Sequence, residues 1–379
     1  MKIGLLTFHS AYNYGAFLQT YGLMTYLSNL GHDVTIINYR PDYLLRGYRP
    51  FTLHKYNKNI PILRNLLAFL YSIVMQSCTY NQVKKRSRYF EETISKNLKL
   101  SPHDFSTYEV LKAGIETYER YILGSDQIWT PHLTGGKLDS AFFLYNVSPP
   151  TKTYTYAASM GKSTLPNEHI EDFKKYSHNI NAISVRECSA VPFVQEQTGK
   201  TVHCAIDPTL LLTANEWREY SVEPEKHPKK YLLSYYMNTK PEYFQAVKNI
   251  AKKSSLEVVW IHNTGVFCKY FVGHNYVRPE EFVWYFANAE AVVTDSFHGT
   301  MFSIINKKPF YSIAPYPQSV RIEDHLKRFG LLDRLYDSAD KLPDTVTEID
   351  YTKPYEKLEE WRKKSFDYLD MITKPDVEQ

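Results

Sequence analysis

Residues 3–39 read IGLLTFHSAYNYGAFLQTYGLMTYLSNLGHDVTIINY. Ile3–Phe8 is a short apolar run suited to a buried strand, and His9–Gly15 is a polar loop. From Phe17, apolar residues return at Tyr21, Met24, Leu27 and Leu30, which line one helical face. Gly31 is a natural helix stop, and Val34–Tyr39 reads as a second strand. A strand, a helix and a strand in this order close through a right-handed crossover, so the two strands lie parallel. The stretch places the chain among α/β proteins.

The same alternation runs outward. Tyr121–Leu123, Tyr154–Ala158, Ala182–Val185 and Val202–Ile206 are further strand candidates. Ser221–Lys230, SVEPEKHPKK, is polar, charged and holds two prolines, which marks a linker. A second α/β series restarts after it. Tyr231–Met237, Leu256–Ile261, Ala291–Thr294 and Phe310–Ile313 read as strands, and Glu242–Lys252, Glu280–Phe286 and Thr300–Asn306 as helices. The tail, Tyr355–Ile372, is amphipathic, with Leu358, Trp361, Leu369 and Ile372 on one face. With 379 residues, two domains are expected: 1–220, 221–350, and a C-terminal helix in 351–379 crossing back to the first. Two parallel-sheet domains facing across a cleft hold their ligand at the carboxyl ends of the strands.

Hydrophobic residues at 43% and charged residues at 23% exclude a disordered chain. The net charge of +4 gives no footprint for nucleic acid. The charge is uneven: residues 1–100 hold 13 Lys/Arg against 4 Asp/Glu, and the remainder 32 against 37. Residues 40–100 are basic and aromatic (Arg40, Arg46, Arg49, Lys55, Lys58, Arg64, then Lys84, Lys85, Arg86, Arg88) and read as an insertion carrying helices. Its Leu66–Met75 helix, flanked by these cations, is a candidate for resting on anionic lipid; the alternative is a packed helix with a solvated charged face. No stretch reaches the roughly 18–20 apolar residues of a membrane span, and the N-terminus lacks a signal-peptide pattern. Cys78, Cys188, Cys204 and Cys268 are scattered, so a reduced cytoplasmic chain without a disulfide framework is expected.

Several chemistries find no support. Gly161-Lys162-Ser163 and Gly199-Lys200-Thr201 have Tyr156 and Val194 where a P-loop needs its first glycine. There is no G-x-G-x-x-G, no G-x-S-x-G, no D-x-D and no pair of histidines at helical ligand spacing. No metal and no resident cofactor is expected.

Polar residues gather instead after four apolar strands. His9, Asn13, Tyr14, Gly15 and Gln19 follow the first; the glycine lets backbone approach a ligand, and the structural alternative is an Asn-capped turn. Gly124-Ser125-Asp126-Gln127-Ile128-Trp129 offers a carboxylate and an amide for hydroxyls and an indole for a ring face; equally, Asp126 caps a helix and Trp129 fills the core. Arg186-Glu187 places a guanidinium at a strand end, suited to a carboxylate or phosphate, or else forms a surface pair. Ile206-Asp207-Pro208 reads as a simple turn. Asp295-Ser296-Phe297-His298-Gly299-Thr300 brings a histidine, two hydroxyls and free amides to a helix N-terminus, where an anion is stabilised. The alternative there is a capped helix with a core histidine.

Taken together, LLTFHSAYNYGAFLQTYGL (5–23), LGSDQIW (123–129), YAASMG (156–161), SVRE (184–187), IDPTLLL (206–212) and VTDSFHGTMFSIINKKPF (293–310) resemble the polysaccharide pyruvyl transferase family in order and over most of the chain. The resemblance implies a GT-B-like fold of two Rossmann-like domains. It implies transfer of pyruvate from phosphoenolpyruvate to a hexose of a polysaccharide or its lipid-linked precursor, giving a cyclic ketal and phosphate. His298 is then the acid/base, with Asp126 and Asp295 as further catalytic candidates. Arg186, Ser296, Gly299, Thr300 and Arg321 fall on the donor side. Some branches of the family carry Arg where Ser296 stands, and Arg321 is the substitute candidate for that charge. Asn13, Tyr14, Gln127 and Trp129 fall on the acceptor side. The implied partners are phosphoenolpyruvate, a hexose acceptor and, through the 40–100 region, the inner face of the cell membrane; nucleic acid is not among them. A glycosyltransferase using a nucleotide sugar and a non-catalytic carbohydrate-binding protein are the alternatives.

Overall fold

The computed structural model describes residues 1–46, 62–147, 151–237, 240–262, 274–314 and 320–375. Its first sheet contains β1 (Lys2–Leu6), β2 (Asp33–Ile36), β3 (Arg120–Gly124), β4 (Thr153–Tyr156), β5 (Ile180–Val185) and β6 (Val202–Cys204) in the order β2-β1-β3-β4-β5-β6. Its second contains β7 (Tyr231–Tyr236), β8 (Glu257–His262), β9 (His274–Asn275), β10 (Ala291–Thr294), β11 (Phe310–Ile313) and β12 (Leu335–Tyr336) in the order β12-β11-β10-β7-β8-β9. All neighbouring strands in both sheets pair parallel. Parallel sheets are covered on both faces, so central strands such as β3 and β10 are buried along their whole length. The fold is α/β, with two Rossmann-like halves of the GT-B type, and the second sheet begins directly after the Ser221–Lys230 segment.

Six helices shape the gap between the halves and the surface beside it: α1 (Tyr14–Asn29), α2 (Ile62–Asn97), α3 (Pro279–Asn288), α4 (Phe297–Ile305), α5 (Val320–Phe329) and α6 (Thr352–Thr373). In the first sheet the order reverses between β1 and β3, and in the second between β7 and β10. These are the points at which doubly wound sheets leave a crevice for ligand. The loops after all four strands meet across the gap between the halves.

Aromatic packing and α6 hold the halves together. Tyr14 stacks on Phe282 at 4.5 Å, and its hydroxyl donates to the Val277 carbonyl at 2.9 Å. Tyr14 is therefore fully buried as a wedge between α1 and α3, and offers no surface to an acceptor. α6 returns to the first half, where Arg362 donates to the carbonyls of Leu210 (2.7 Å) and Leu212 (3.0 Å) and Tyr368 to that of Thr155 (2.8 Å).

The 40–100 region holds one long helix of 36 residues, so the Leu66–Met75 pattern is only its first part. Val83, Phe90 and Ile94 on its second half are buried, and Thr93 and Glu92 bond Glu280 and Arg278 of the second half of the molecule. Arg49, Lys55 and Lys58 lie outside the described residues.

The expectation of four reduced cysteines is corrected. Cys188 and Cys204 form a disulfide, with Cα atoms 5.2 Å apart. β5 and β6 run side by side with Val185 opposite Cys204, and the chain after β5 curls back in a short helical turn starting at Cys188. Sequence spacing of 16 residues conceals a neighbour relation that only the sheet creates. Cys268 lies outside the described residues.

Candidate functional site

The site begins with the end of β10. The pattern places the helix from Thr300, but α4 starts three residues earlier, at Phe297. Ser296 is its N-cap: its hydroxyl oxygen accepts from the Gly299 amide at 3.4 Å, and its own amide donates to the Thr294 hydroxyl at 3.1 Å. His298 thus sits on the first turn of a helix, at its positive end, rather than on a loop. Gly299 is packed against β10, where a Cβ would stand 2.3 Å from the Thr294 hydroxyl. Thr300 is also turned away from the gap, its hydroxyl joined to that of Ser312 at 2.7 Å.

His298 touches the first half of the molecule on two sides. A Cβ on Gly15 would lie 1.9 Å from its Nδ1, so glycine at the start of α1 is what makes room for the ring. On the other side, Nε2 stands 3.6 Å from Oδ2 of the buried Asp207. Asp207 also caps its own turn, with Oδ1 accepting from the Thr209 amide (3.0 Å) and hydroxyl (2.7 Å). Burial alone would raise its pKa, but the charges of His298 and Arg186 outweigh this and hold it well below the usual carboxylate range.

Arg186 is fully buried at the end of β5. Its Nη1 donates to Asp207 Oδ2 at 2.8 Å and its Nε to Glu187 Oε1 at 3.3 Å. Its Nη2 makes no hydrogen bond to any of the described residues and lies 3.9 Å from Asp126 Oδ1. Burial opposes its charge, yet Glu187, Asp207 and Asp126 keep its pKa raised. Its guanidinium lies 4.6 Å from the ring centre of Phe297, and that of Arg321 lies 5.7 Å from the same ring. Burial and the charge of Arg186 both lower the pKa of Arg321. Arg186 is thus matched by buried carboxylates, and Arg321 is the guanidinium that an anion in the cavity would meet.

Arg321 opens α5, which is docked on the β5 end by Arg328. Nη2 of Arg328 donates to the Arg186 carbonyl at 2.7 Å and to Asp324 at 2.9 Å, and Asp324 accepts from the Cys188 amide at 2.9 Å. His325 lies edge-on to Phe297 at 4.9 Å, with its pKa driven well below the ordinary value by burial and by Arg328.

These elements enclose a cavity of about 440 Å³, within the range of small-molecule sites. Phe8, Asn13, Asp126 and Gln127 line it from one side, and Met237, Asp295, Ser296, His298 and Arg321 from the other. Asn13 caps α1 through the Ala16 amide at 3.2 Å. Asp126 has a left-handed backbone (φ +63°) and accepts from the Gln127 amide at 2.9 Å. Asp295 accepts from the Met237 amide at 2.6 Å, which ties the β10 and β7 ends together. Trp129 does not reach the cavity. It is fully buried, stacked on Phe143 at 5.5 Å and edge-on to Phe173 at 5.1 Å, so it is a core residue rather than a sugar platform.

Residues 13–316 match the family described as polysaccharide pyruvyl transferase. The chain belongs to that family. It is thus a transferase of the pyruvyl group, acting in polysaccharide synthesis. None of the curated proteins matches the sequence. Among solved structures, the chain is similar to the UDP-GlcNAc 2-epimerase of Methanocaldococcus jannaschii in complex with UDP-GlcNAc and UDP (11% identity, 98% of this chain and 99% of that one, TM-score 0.47). It is also similar to the UDP-GlcNAc 2-epimerase of Neisseria meningitidis (9%, 99% and 95%, 0.42) and to ADP-heptose lps heptosyltransferase II of E. coli (10%, 97% and 100%, 0.36).

For this pyruvyl transferase family member, sequence reading misses one residue of the cluster. Asp207 reads as part of a turn, and it does cap one, but it is also the carboxylate shared by Arg186 and His298. A signal is present: one acid lies between Ile206 and the apolar Leu210–Leu212, and a charge buried among such residues needs a partner. Among the described residues no group of three His, Cys, Asp or Glu side chains could hold a metal ion, and no helix is long and apolar enough to cross a membrane.

Proposed function

We propose that the cavity takes phosphoenolpyruvate and a hexose hydroxyl pair, and that the products are a cyclic pyruvyl ketal and phosphate. The reading is supported by one arrangement above all: His298, backed by Asp207, shares a cavity wall with Arg321 where the two switch points face each other. Phosphoenolpyruvate carries a carboxylate and a phosphate, and such a donor needs cations or helix termini. Arg321 and the α4 N-terminus with Ser296 supply them at the wall.

In this reading His298, with Asp207 3.6 Å from its Nε2, gives a proton to the methylene carbon of the donor. The adjacent carbon becomes electrophilic, and a hexose hydroxyl adds to it. The bond to the phosphate oxygen breaks, and the second hydroxyl closes the ketal. Two hydroxyl protons are released: one replaces the proton given by His298, and the other leaves with phosphate. Asp126 is the base candidate nearest the acceptor side, with Asn13 and Gln127 as hydrogen-bond partners. In this reading the reaction uses no resident cofactor.

The test is phosphate release from phosphoenolpyruvate across a panel of hexosides, followed by product mass. A gain of the pyruvyl group with loss of water from the diol supports the reading. Phosphate release with none of the hexosides, alongside turnover of a nucleotide sugar, refutes it.

A further inference from the structure

Helix α2 has two halves of different character. On its second half Val83, Arg86, Phe90, Thr93 and Ile94 are buried against the body of the molecule. At 100° per residue these positions occupy one side of the helix. On the first half, Leu66, Leu70, Ile73 and Val74 are 52%, 50%, 40% and 59% exposed. Four of the ten exposed large apolar residues among the described ones therefore fall within nine positions. They share a face opposite the buried one, at the i, i+4, i+7, i+8 spacing. The same outward face continues to exposed Lys84, Lys85 and Arg88, about 20 Å further along the axis. Arg88 has Glu92 as its helical ion-pair partner at 3.7 Å, while Lys84 and Lys85 lie over Tyr80 and Tyr89.

We infer that this face docks on an anionic lipid surface. An exposed apolar stripe continued by cations along the same line is the arrangement that enters the headgroup boundary and holds anionic headgroups beside it. A second protein copy would bring Lys84 and Lys85 against themselves or need an acidic counterpart, and the stripe's own line carries none between Leu66 and Arg88. The inference does not depend on the reaction.

The experiment is co-sedimentation of the full chain with vesicles of phosphatidylcholine alone or with phosphatidylglycerol added. At about 0.01 M salt, where screening extends to about 30 Å, the protein is expected in the pellet with anionic vesicles and in the supernatant with neutral ones. At about 1 M salt, where it falls to about 3 Å, binding should drop at least tenfold. Leu70→Glu/Val74→Glu should abolish binding, and Lys84→Glu/Lys85→Glu should weaken it at least fivefold. All four positions are exposed, and an unchanged melting temperature confirms that the fold is intact. The proposal is overturned if the unaltered chain stays in solution with anionic vesicles at low salt, or binds both vesicle types equally. It is also overturned if neither double variant changes pelleting, or if Leu70→Glu/Val74→Glu instead converts a solution dimer to a monomer.

Discussion

Nε2 of His298 and Oδ2 of Asp207 lie 3.6 Å apart although they come from opposite halves of the molecule. Asp207 is anchored to the first half by Arg186 and Thr209, and His298 to the second by the α4 N-terminus. The pair exists only where the halves meet, so a ligand that parts them or draws them together acts directly on it.

His298→Ala should remove phosphate release while leaving the melting temperature within a few degrees. Asp207→Asn should lower kcat by on the order of 10²–10⁴-fold, the range of positioned acid–base catalysis. Its effect on the KM for phosphoenolpyruvate should be smaller, since Asp207 does not line the cavity. Steady-state phosphate assays decide both, and near-normal turnover in either variant removes that residue from the chemistry.

Gly15→Ala tests the fit of the two halves. Its Cβ would lie 1.9 Å from His298 Nδ1, so the ring or the start of α1 has to shift. A displacement near 1 Å at a reacting group costs on the order of 10²-fold in rate. The expected result is a loss of kcat of that size in a chain that still unfolds cooperatively.

The two arginines should separate. Arg321→Ala should raise the KM for phosphoenolpyruvate at least tenfold with little change in stability, because Arg321 stands at the cavity wall. Arg186→Ala leaves Asp207 and Glu187 buried without their cation, a loss of about 3–5 kcal/mol. Calorimetry paired with donor titration distinguishes them. A stable Arg186→Ala chain with donor binding selectively weakened would make Arg186 a direct ligand instead.

Acid should weaken the fold through His9. Burial pushes its pKa from 6.5 down to about 4, although the hydrogen bond to Asn38 opposes the shift. Between these values the unfolded chain binds a proton that the folded one does not. The contribution of His9 is therefore complete above about pH 6.5 and is lost as pH falls towards 4, by about 3 kcal/mol. Buried His325, also lowered well below 6.5, adds to the same slope. Denaturant titrations across this interval should show the slope, and His9→Gln should reduce it without removing it.

The sheets were legible because buried parallel strands are uninterrupted apolar runs. Ile3–Phe8, Ala182–Val185 and Ala291–Thr294 all fall on observed strands, with ends shifted by a few residues at most. The start of α4 was not, because Ser296 caps it without the acid that usually marks a first turn. Trp129 and Tyr14 misled for another reason: an aromatic beside polar residues reads alike whether it faces a sugar or the core.

The alternation of strand and helix, the restart after Ser221–Lys230, and the strand ends at which polar groups collect can all be read from the residues in order. Those follow from local apolar spacing. Tertiary structure alone decided that Gly15 makes room for His298, that Cys188 meets Cys204, and that Asp207 faces both Arg186 and His298. These are relations between segments far apart in the chain, and burial fixes them: a charge taken from water must find its partner wherever the fold delivers one.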